Sequence, residues 1–335
     1  MKKSNKIKCT KDDLLGKGSY GHVYGCQYLD YPNIKDICYN DIPKGHPCNI
    51  NKKSKNMAIK LFHKSTHRKT KRDYWNEEIN SIKPLICLRN INKKYFSLPI
   101  GSCTKDKNFY IQSNNDGNDI YDYISNKSSI PNTHKKYFFN NILKHITQIY
   151  KGLMSLHIHN LVHLDIKPEN ILFSYENKMS KIADFGFLTK LNSNTKYSIK
   201  GSPLFQLPED ILIKNKKYFL RTSMYRYDKK NYKLYNWCKS DIYAMSIVIK
   251  EILESKNKRY ISASDSEILQ LILLKSNTEI LENIHNSIQI LLLISRYTND
   301  KELDNWISNT FKSKFNKKSQ HTKYTKRTRR IKRRR

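Results

Sequence analysis

Hydrophobic and polar residues follow a two-residue rhythm early in the chain and a helical rhythm later. Leu14-Leu15, a glycine-rich turn and Val23-Tyr24-Gly25-Cys26-Gln27-Tyr28 predict two strands, and Met57-Ala58-Ile59-Lys60-Leu61-Phe62 predicts a third. Trp75, Ile79 and Ile82 share one helical face, so a helix is expected from about Asp73 to a stop near Pro84. Residues 95–100 and 109–112 read as two further short strands, and Asn114-Asn115-Asp116-Gly117 marks a break. Past it, apolar residues at 139, 142, 143, 146, 149, 153 and 156 predict one amphipathic helix from Lys136 to His157. The stretch that opens Asp241-Ile242-Tyr243-Ala244-Met245 is apolar nearly all round and reads as a buried helix, with further helices expected over 267–275, 279–294 and 302–311. A β-rich half followed by a helical half predicts an α+β fold with two lobes. Residues 29–56, rich in Pro, Asn, Lys and Asp, read as a long loop.

Charge adds one segment to this picture. The net charge is +34, and residues 312–335 hold thirteen Lys and Arg with no acid, which leaves +21 on the first 311 residues. The end of the chain is therefore expected to be a basic, disordered tail, and the whole molecule to be drawn toward polyanions such as nucleic acid. Only four alanines stand among abundant Lys, Asn, Ile and Tyr, a bias that an A+T-rich genome also produces. No apolar run approaches the ~18 residues of a spanning helix, and the basic start lacks the apolar stretch of a secretory signal. The expectation is a soluble, intracellular protein, cytoplasmic or nuclear, that does not enter a membrane. Its seven scattered cysteines form no C-x-x-C pair and are expected to be free, mostly buried thiols. Cys38, His46 and Cys48 match no common zinc spacing.

Four motifs carry chemistry. Gly16-Lys17-Gly18-Ser19-Tyr20-Gly21-His22-Val23 is a glycine-rich turn of the kind whose backbone N–H groups approach phosphates. A strand follows it instead of a helix, which disfavours a dinucleotide site. Lys60 is an inward-pointing cation on a strand, or else an ordinary edge lysine. Glu77 and Glu78 could each hold it; Glu78 shares the face of Trp75 and Ile82, while Glu77 is turned about 100° away. His163-Leu164-Asp165-Ile166-Lys167-Pro168-Glu169-Asn170 places a carboxylate, a cation and an amide in one loop after a long helix. Asp184-Phe185-Gly186 follows the apparent strand Lys181-Ile182-Ala183 and offers a second carboxylate.

In this order and at these spacings, the motifs resemble those of the eukaryotic-type serine/threonine protein kinases, over roughly residues 10 to 310. The resemblance implies a bilobal fold with a small β-rich N-lobe at about 10–113 and a larger helical C-lobe at about 114–311. It implies Mg-ATP as phosphoryl donor, bound by Leu15, the 16–23 turn, Lys60 and Glu78. Asp165 would accept the proton of a protein Ser or Thr hydroxyl, Lys167 would neutralise the transferring group, and Asn170 and Asp184 would hold Mg²⁺. Gly201-Ser202-Pro203 ahead of Leu207-Pro208-Glu209 resembles the serine/threonine subgroup, in which Ser202 would bond Asp165 and Lys167. Gly117 and Asp119 resemble the region that meets the nucleotide ribose, and Asp241 the aspartate that anchors the catalytic loop. The composition, compact size and basic tail resemble kinases of large DNA viruses that infect protists, for which a virion-associated location would also fit.

Two departures stand out. Leu164 occupies the place of an arginine that commonly pairs with an activation-loop phosphate, so activity is expected not to need phosphorylation between Phe187 and Gln206. About twenty extra residues between Glu209 and Asp241, rich in Lys and Tyr, lie where a protein substrate would dock in this fold. Three rival readings are weighed. A pseudokinase would lack one of Lys60, Asp165 or Asp184. A small-molecule kinase would lack the 201–209 segment. A nucleic-acid-binding protein would leave the ordered catalytic set unexplained.

Overall fold

Antiparallel pairing builds the first third of the chain. The computed structural model describes residues 7–8, 14–17, 21–28, 56–62, 70–88, 91–105, 108–191, 197–198, 201–206, 219–220, 224–225, 238–278 and 286–310. Residues 29–55 of the loop expected at 29–56, the glycine-turn residues Gly18, Ser19 and Tyr20, the Leu207-Pro208-Glu209 motif and the basic tail lie outside these residues, while Asn56 opens a strand. Strands β1 (Ile7–Lys8), β2 (Leu14–Lys17), β3 (Gly21–Tyr28), β4 (Asn56–Phe62), β5 (Pro99–Lys105) and β6 (Asn108–Asn114) form one sheet of order β1-β3-β4-β6-β5, with β2 also paired to β3. The β3–β4 register sets Val23 opposite Lys60 and Gly21 opposite Phe62. Residues directly opposite in an antiparallel pair point to the same face, so Gly21, Val23 and Lys60 lie on one side of the sheet.

Helix α1 (Lys71–Ile86) crosses that sheet. Its start is set by a capping box: Asp73 N donates to Thr70 Oγ1 at 3.3 Å and Thr70 N donates to the Asp73 carboxylate at 2.8 Å. The helix passes through Pro84 and ends two residues later at Ile86, near the expected stop. A proline removes one intrahelical bond, but Leu85 is wholly buried one residue later, and Lys93 Nζ donates to the Ile86 carbonyl at 2.9 Å to cap the last turn. Trp75 packs with Phe62 under the sheet, whereas Ile82 and Leu85 belong to the large core of the second lobe. The strand expected at 95–100 is different: residues Lys93–Tyr95 form a 3₁₀ turn capped by Asn92, and the strand begins at Pro99. Tyr95 and Phe96 are both buried, so they do not alternate in and out as a strand's side chains would.

The rest of the chain is mostly helical. After β7 (Asn118–Asp119) come α2 (Ile120–Ile124), α3 (Asn132–Asn140) and α4 (Ile142–His157). The single helix expected from Lys136 is thus two helices. The break falls at Asn141, which leaves helical backbone at φ −117° and ψ +26°, and whose side-chain amide shares the Tyr137 carbonyl at 2.9 Å with its own backbone N–H at 3.2 Å. Short strands β8 (Leu161–Val162), β9 (Ile171–Ser174), β10 (Met179–Ile182) and β11 (Thr189–Lys190) follow, in pairs β10-β9-β7 and β11-β8. Residues 197–198, 219–220 and 224–225 pair as three further short strands. Helices α5 (Cys238–Glu254), α6 (Ala263–Thr278), α7 (Asn286–Thr298) and α8 (residues 301–310) close the lobe, and residues 279–285 of the helix expected over 279–294 lie outside the described residues. The result is an α+β, two-lobed architecture, and no helix among the described residues is long and apolar enough to cross a membrane. Of the two cysteines whose side chains are described, Cys238 is buried and Cys87 exposed.

The large core is pinned at one polar point. Asp241 on α5 is wholly buried, and its carboxylate accepts from Leu164 N at 2.8 Å, His163 N at 2.9 Å and His157 Nε2 at 2.9 Å. Burial opposes charge on His157, but Cys238 and Asp241 beside it outweigh that cost and raise its pKa to about 10. Replacing Asp241 by Ala should cost about 3 to 5 kcal/mol, read as a lower urea midpoint, because two amides and an imidazolium lose their acceptor together. The folded pKa of His157 lies above its ordinary value near 6.5. Its stabilisation is therefore full below about pH 6.5 and fades as pH rises toward 10. The melting-temperature gap between wild type and His157→Gln should accordingly narrow from pH 6 to pH 10; a gap that widened would contradict a charged His157.

Candidate active site

Two groups of side chains meet between the lobes. In the first, Lys60 Nζ donates to Glu78 Oε2 at 2.7 Å and lies 3.4 Å from Asp184 Oδ2. Glu78 reaches the lysine from α1, as its shared face with Trp75 and Ile82 requires. Ser81, one helical turn further on, donates to the Gly186 carbonyl at 3.0 Å and ties α1 to the Asp184-Phe185-Gly186 turn a second time. Burial works against charge on Lys60, yet the Asp184 and Glu78 carboxylates hold its pKa above the ordinary lysine range. Asp184 shows the reverse. Partial burial opposes its charge, but Lys60, the Gly186 amide and Lys167 together hold its carboxyl below the usual aspartate range. Asp184 is thus ionised, with its side chain 42% exposed to the cleft.

The second group hangs on the 163–170 loop. Asp165 is buried, and one carboxylate oxygen accepts from Ser202 N at 2.8 Å and Ser202 Oγ at 3.1 Å. The other accepts from Asn170 Nδ2 at 2.9 Å and pairs with Lys167 Nζ at 3.1 Å. Lys167 also donates to Ser202 Oγ at 2.9 Å, so Asp165, Lys167 and Ser202 close a triangle. Gly201 makes this approach possible. It sits at φ +93°, and a Cβ there would lie 2.0 Å from the Leu164 carbonyl oxygen. His163 Nε2 donates to the Ala183 carbonyl at 3.0 Å while its Nδ1 accepts from Asp165 N at 3.3 Å, which fixes a neutral tautomer and joins the two groups through backbone.

Asn170 and Asp184 suit a hard divalent cation. Asn170 Nδ2 donates twice, to Asp165 O at 2.7 Å and to its carboxylate, which turns the amide oxygen the other way. An amide oxygen and an ionised, partly exposed carboxylate are the donor types that Mg²⁺ takes. Leu15 is exposed on β2, and Gly21, His22 and Val23 lie on β3 beside β4. Gly16 and Lys17 are described as backbone, paired with Val23 and His22. Asp119 is not drawn into either group. Its carboxylate caps α2 by accepting from Asp122 N at 3.0 Å, and burial with nearby Asp122 and Glu169 pushes its pKa up to about 6.

Residues 46–327 match the family model for the protein kinase domain. The chain belongs to the protein kinase domain family. The match begins beyond the glycine-rich turn and takes in both side-chain groups. Among curated proteins, the chain is 26% identical over 224 residues to the serine/threonine-protein kinase unc-51 of Caenorhabditis elegans, covering 63% of this chain and 22% of that one. It is 29% identical over 210 residues to MAP3K epsilon protein kinase 1 of Brassica napus, covering 59% and 13%. To the serine/threonine-protein kinase ATG1a of Arabidopsis thaliana it is 30% identical over 172 residues, covering 50% and 25%. The kinase domain thus spans about a third or less of the curated relatives it matches.

Sequence reasoning missed two contacts of this kinase domain. Ser81 could have been found by the same turn-spacing that favoured Glu78. The ion pair of Lys181 with Asp116, at 2.5 Å between β10 and the segment joining the lobes, had no sequence signal, because 65 residues separate the partners. Asn170→Leu should destabilise the domain by about 1 to 3 kcal/mol in urea unfolding, because the Asp165 carbonyl and carboxylate each lose a buried donor.

Proposed function

We propose that this kinase domain is an ATP- and magnesium-dependent enzyme that transfers the γ-phosphoryl group to serine and threonine hydroxyls of proteins. The observation that carries the reading is the double arrangement at the cleft. Lys60, Glu78 and Asp184 form one ion-paired cluster, and Asp165 is bonded at once to Lys167, Asn170 and Ser202. In the reaction, the substrate hydroxyl oxygen attacks the γ-phosphorus, the bond to the β–γ bridging oxygen breaks and ADP leaves. Asp165 takes the hydroxyl proton. Lys167 faces the transferring group, and Lys60, kept charged by its two carboxylates, meets the α- and β-phosphates. Asn170 and Asp184 would hold Mg²⁺, which supplies charge neutralisation on the phosphates when bound. Such a loose transfer is accelerated mainly by positioning and fixed charge, which is what this hydrogen-bonded set provides.

Serine and threonine are favoured over tyrosine by the Lys167–Ser202 bond, which belongs to the subgroup whose catalytic-loop lysine lies two residues after the aspartate. The pseudokinase alternative is disfavoured because Lys60, Asp165 and Asp184 are all present and paired. The 29–56 and 210–240 segments and the basic tail leave substrate choice to experiment.

Incubation of the full chain with labelled ATP and Mg²⁺ against casein, a basic protein and nucleic acid should label protein only, as phosphoserine and phosphothreonine. Asp165→Asn or Asp184→Ala should lower kcat by roughly 10²- to 10⁴-fold. Absence of transfer by wild type, or equal transfer by Asp184→Ala, would refute the assignment. Phosphatase treatment should leave most of the activity, since Leu164 offers no guanidinium to an activation-segment phosphate. Its loss on dephosphorylation would point to another basic partner for that phosphate.

A further inference from the structure

The 93–97 segment, which joins α1 to β5, lies against a side chain from the last described helix. Trp306 of α8 meets Tyr95 edge-on, with ring centroids 6.3 Å apart and planes at 89°. Lys151 of α4 lies over the indole, 5.1 Å from its centroid. Phe96, the next residue, stands edge-on to Phe185 at 5.9 Å, and Phe185 in turn meets His163 at 5.2 Å. Edge-to-face geometry suits the ring quadrupoles at each of these three ring contacts. The backbone follows the same route, since Ser97 N donates to the Ile182 carbonyl at 2.8 Å, two residues before Asp184. Helix α4 forms the floor. A Cβ on its Gly152 would lie 3.0 Å from the Ile182 side chain and 3.3 Å from Tyr95 Cβ, so the rings pack directly onto that helix. The Trp306–Tyr95 pair and the Phe96–Phe185–His163 set are therefore joined through the backbone of the adjacent residues Tyr95 and Phe96, which links α8 to the residue beside Asp184.

We infer that Trp306 is a positioning residue for phosphoryl transfer, acting through Tyr95 and Phe96 to hold Phe185 and hence Asp184 within reach of Lys60. This rests on the kinase reading above. A purely structural part in the core does not need Trp306, which is only half-buried; Leu303 and Ile307 on the same helix are the fully buried anchors. The indole instead closes the outer side of the Tyr95 site. Removing it opens space on that side, lets residues 95–97 shift outward, and loosens the Ser97–Ile182 bond and the Phe185 contact together. Packed interiors transmit such a shift because they hold few voids to absorb it.

The test uses the full chain, with kcat and KM measured for Mg-ATP and casein, and amide hydrogen exchange followed at Ser97 and Gly186. Trp306→Ala should lower kcat roughly threefold to twentyfold with little change in KM for casein, and should speed exchange at both amides. Trp306→Phe, which keeps a ring, should restore most of both signals. Leu303→Ala should lower the melting temperature while sparing kcat per folded molecule. Wild-type kcat with unchanged exchange in Trp306→Ala would overturn the inference, as would an equal kcat loss in Leu303→Ala. If Trp306→Ala does not fold, Trp306→Leu, which keeps apolar bulk without a ring, carries the same comparison. If wild type transfers no phosphate, the kinase reading fails by itself, and the exchange data still decide whether Trp306 controls residues 97 and 186.

Discussion

Asp241 carries its charge where no water reaches, and a buried carboxylate persists only when donors surround it. Its three donors are two successive backbone amides of the catalytic loop and one imidazole. That demand forces the loop's path. Leu164 is held at φ +66°, a conformation that costs a non-glycine residue roughly 1 to 2 kcal/mol, and the bond from its own amide to Asp241 is what offsets it. The Leu164 carbonyl then faces Gly201, which brings Ser202 onto Asp165. The order of dependence runs from the core outward, and the reacting groups are its last members.

The cleft also resolves an apparent conflict of charge. A chain with net +34 would be expected to bind phosphates anywhere on its surface. At the cleft the cations are each matched: Lys60 by Glu78 and Asp184, and Lys167 by Asp165. Such matched charges are held in place before any ligand arrives, and little reorganisation remains to be done in the transition state. Surface lysines attract a polyanion, whereas these fixed pairs can orient one.

Much of the site was legible because its information is local. The difference between Glu77 and Glu78 is one helical step, and one step decides which carboxylate faces Lys60. The loop from His163 to Asn170 packs carboxylate, cation and amide into eight residues, and Ser202 lies in hydrogen-bond contact with Asp165 and Lys167. What was illegible depended on competition between local and distant forces. The helix break at Asn141 turns on a side-chain amide sharing the carbonyl of the preceding turn with its own backbone N–H. Persistence of α1 through Pro84 turns on the burial of Leu85. The 93–95 turn replaces a strand because Tyr95 and Phe96 both find partners in the core. No period in the chain foretells Trp306 against Tyr95, or Asp116 against Lys181.

Helix α1 is gripped at its two ends by different bodies. Trp75 is seated with Phe62 under the sheet, and Ile82 and Leu85 are sunk in the core of the helical lobe. Glu78 falls between these grips, so α1 behaves as a lever with its fulcrum near the ion pair. Any hinge opening that separates the lobes must tear one end loose or tilt the whole rod. In either case the first distance to lengthen is that between Glu78 and Lys60, which makes this one contact the gauge of closure.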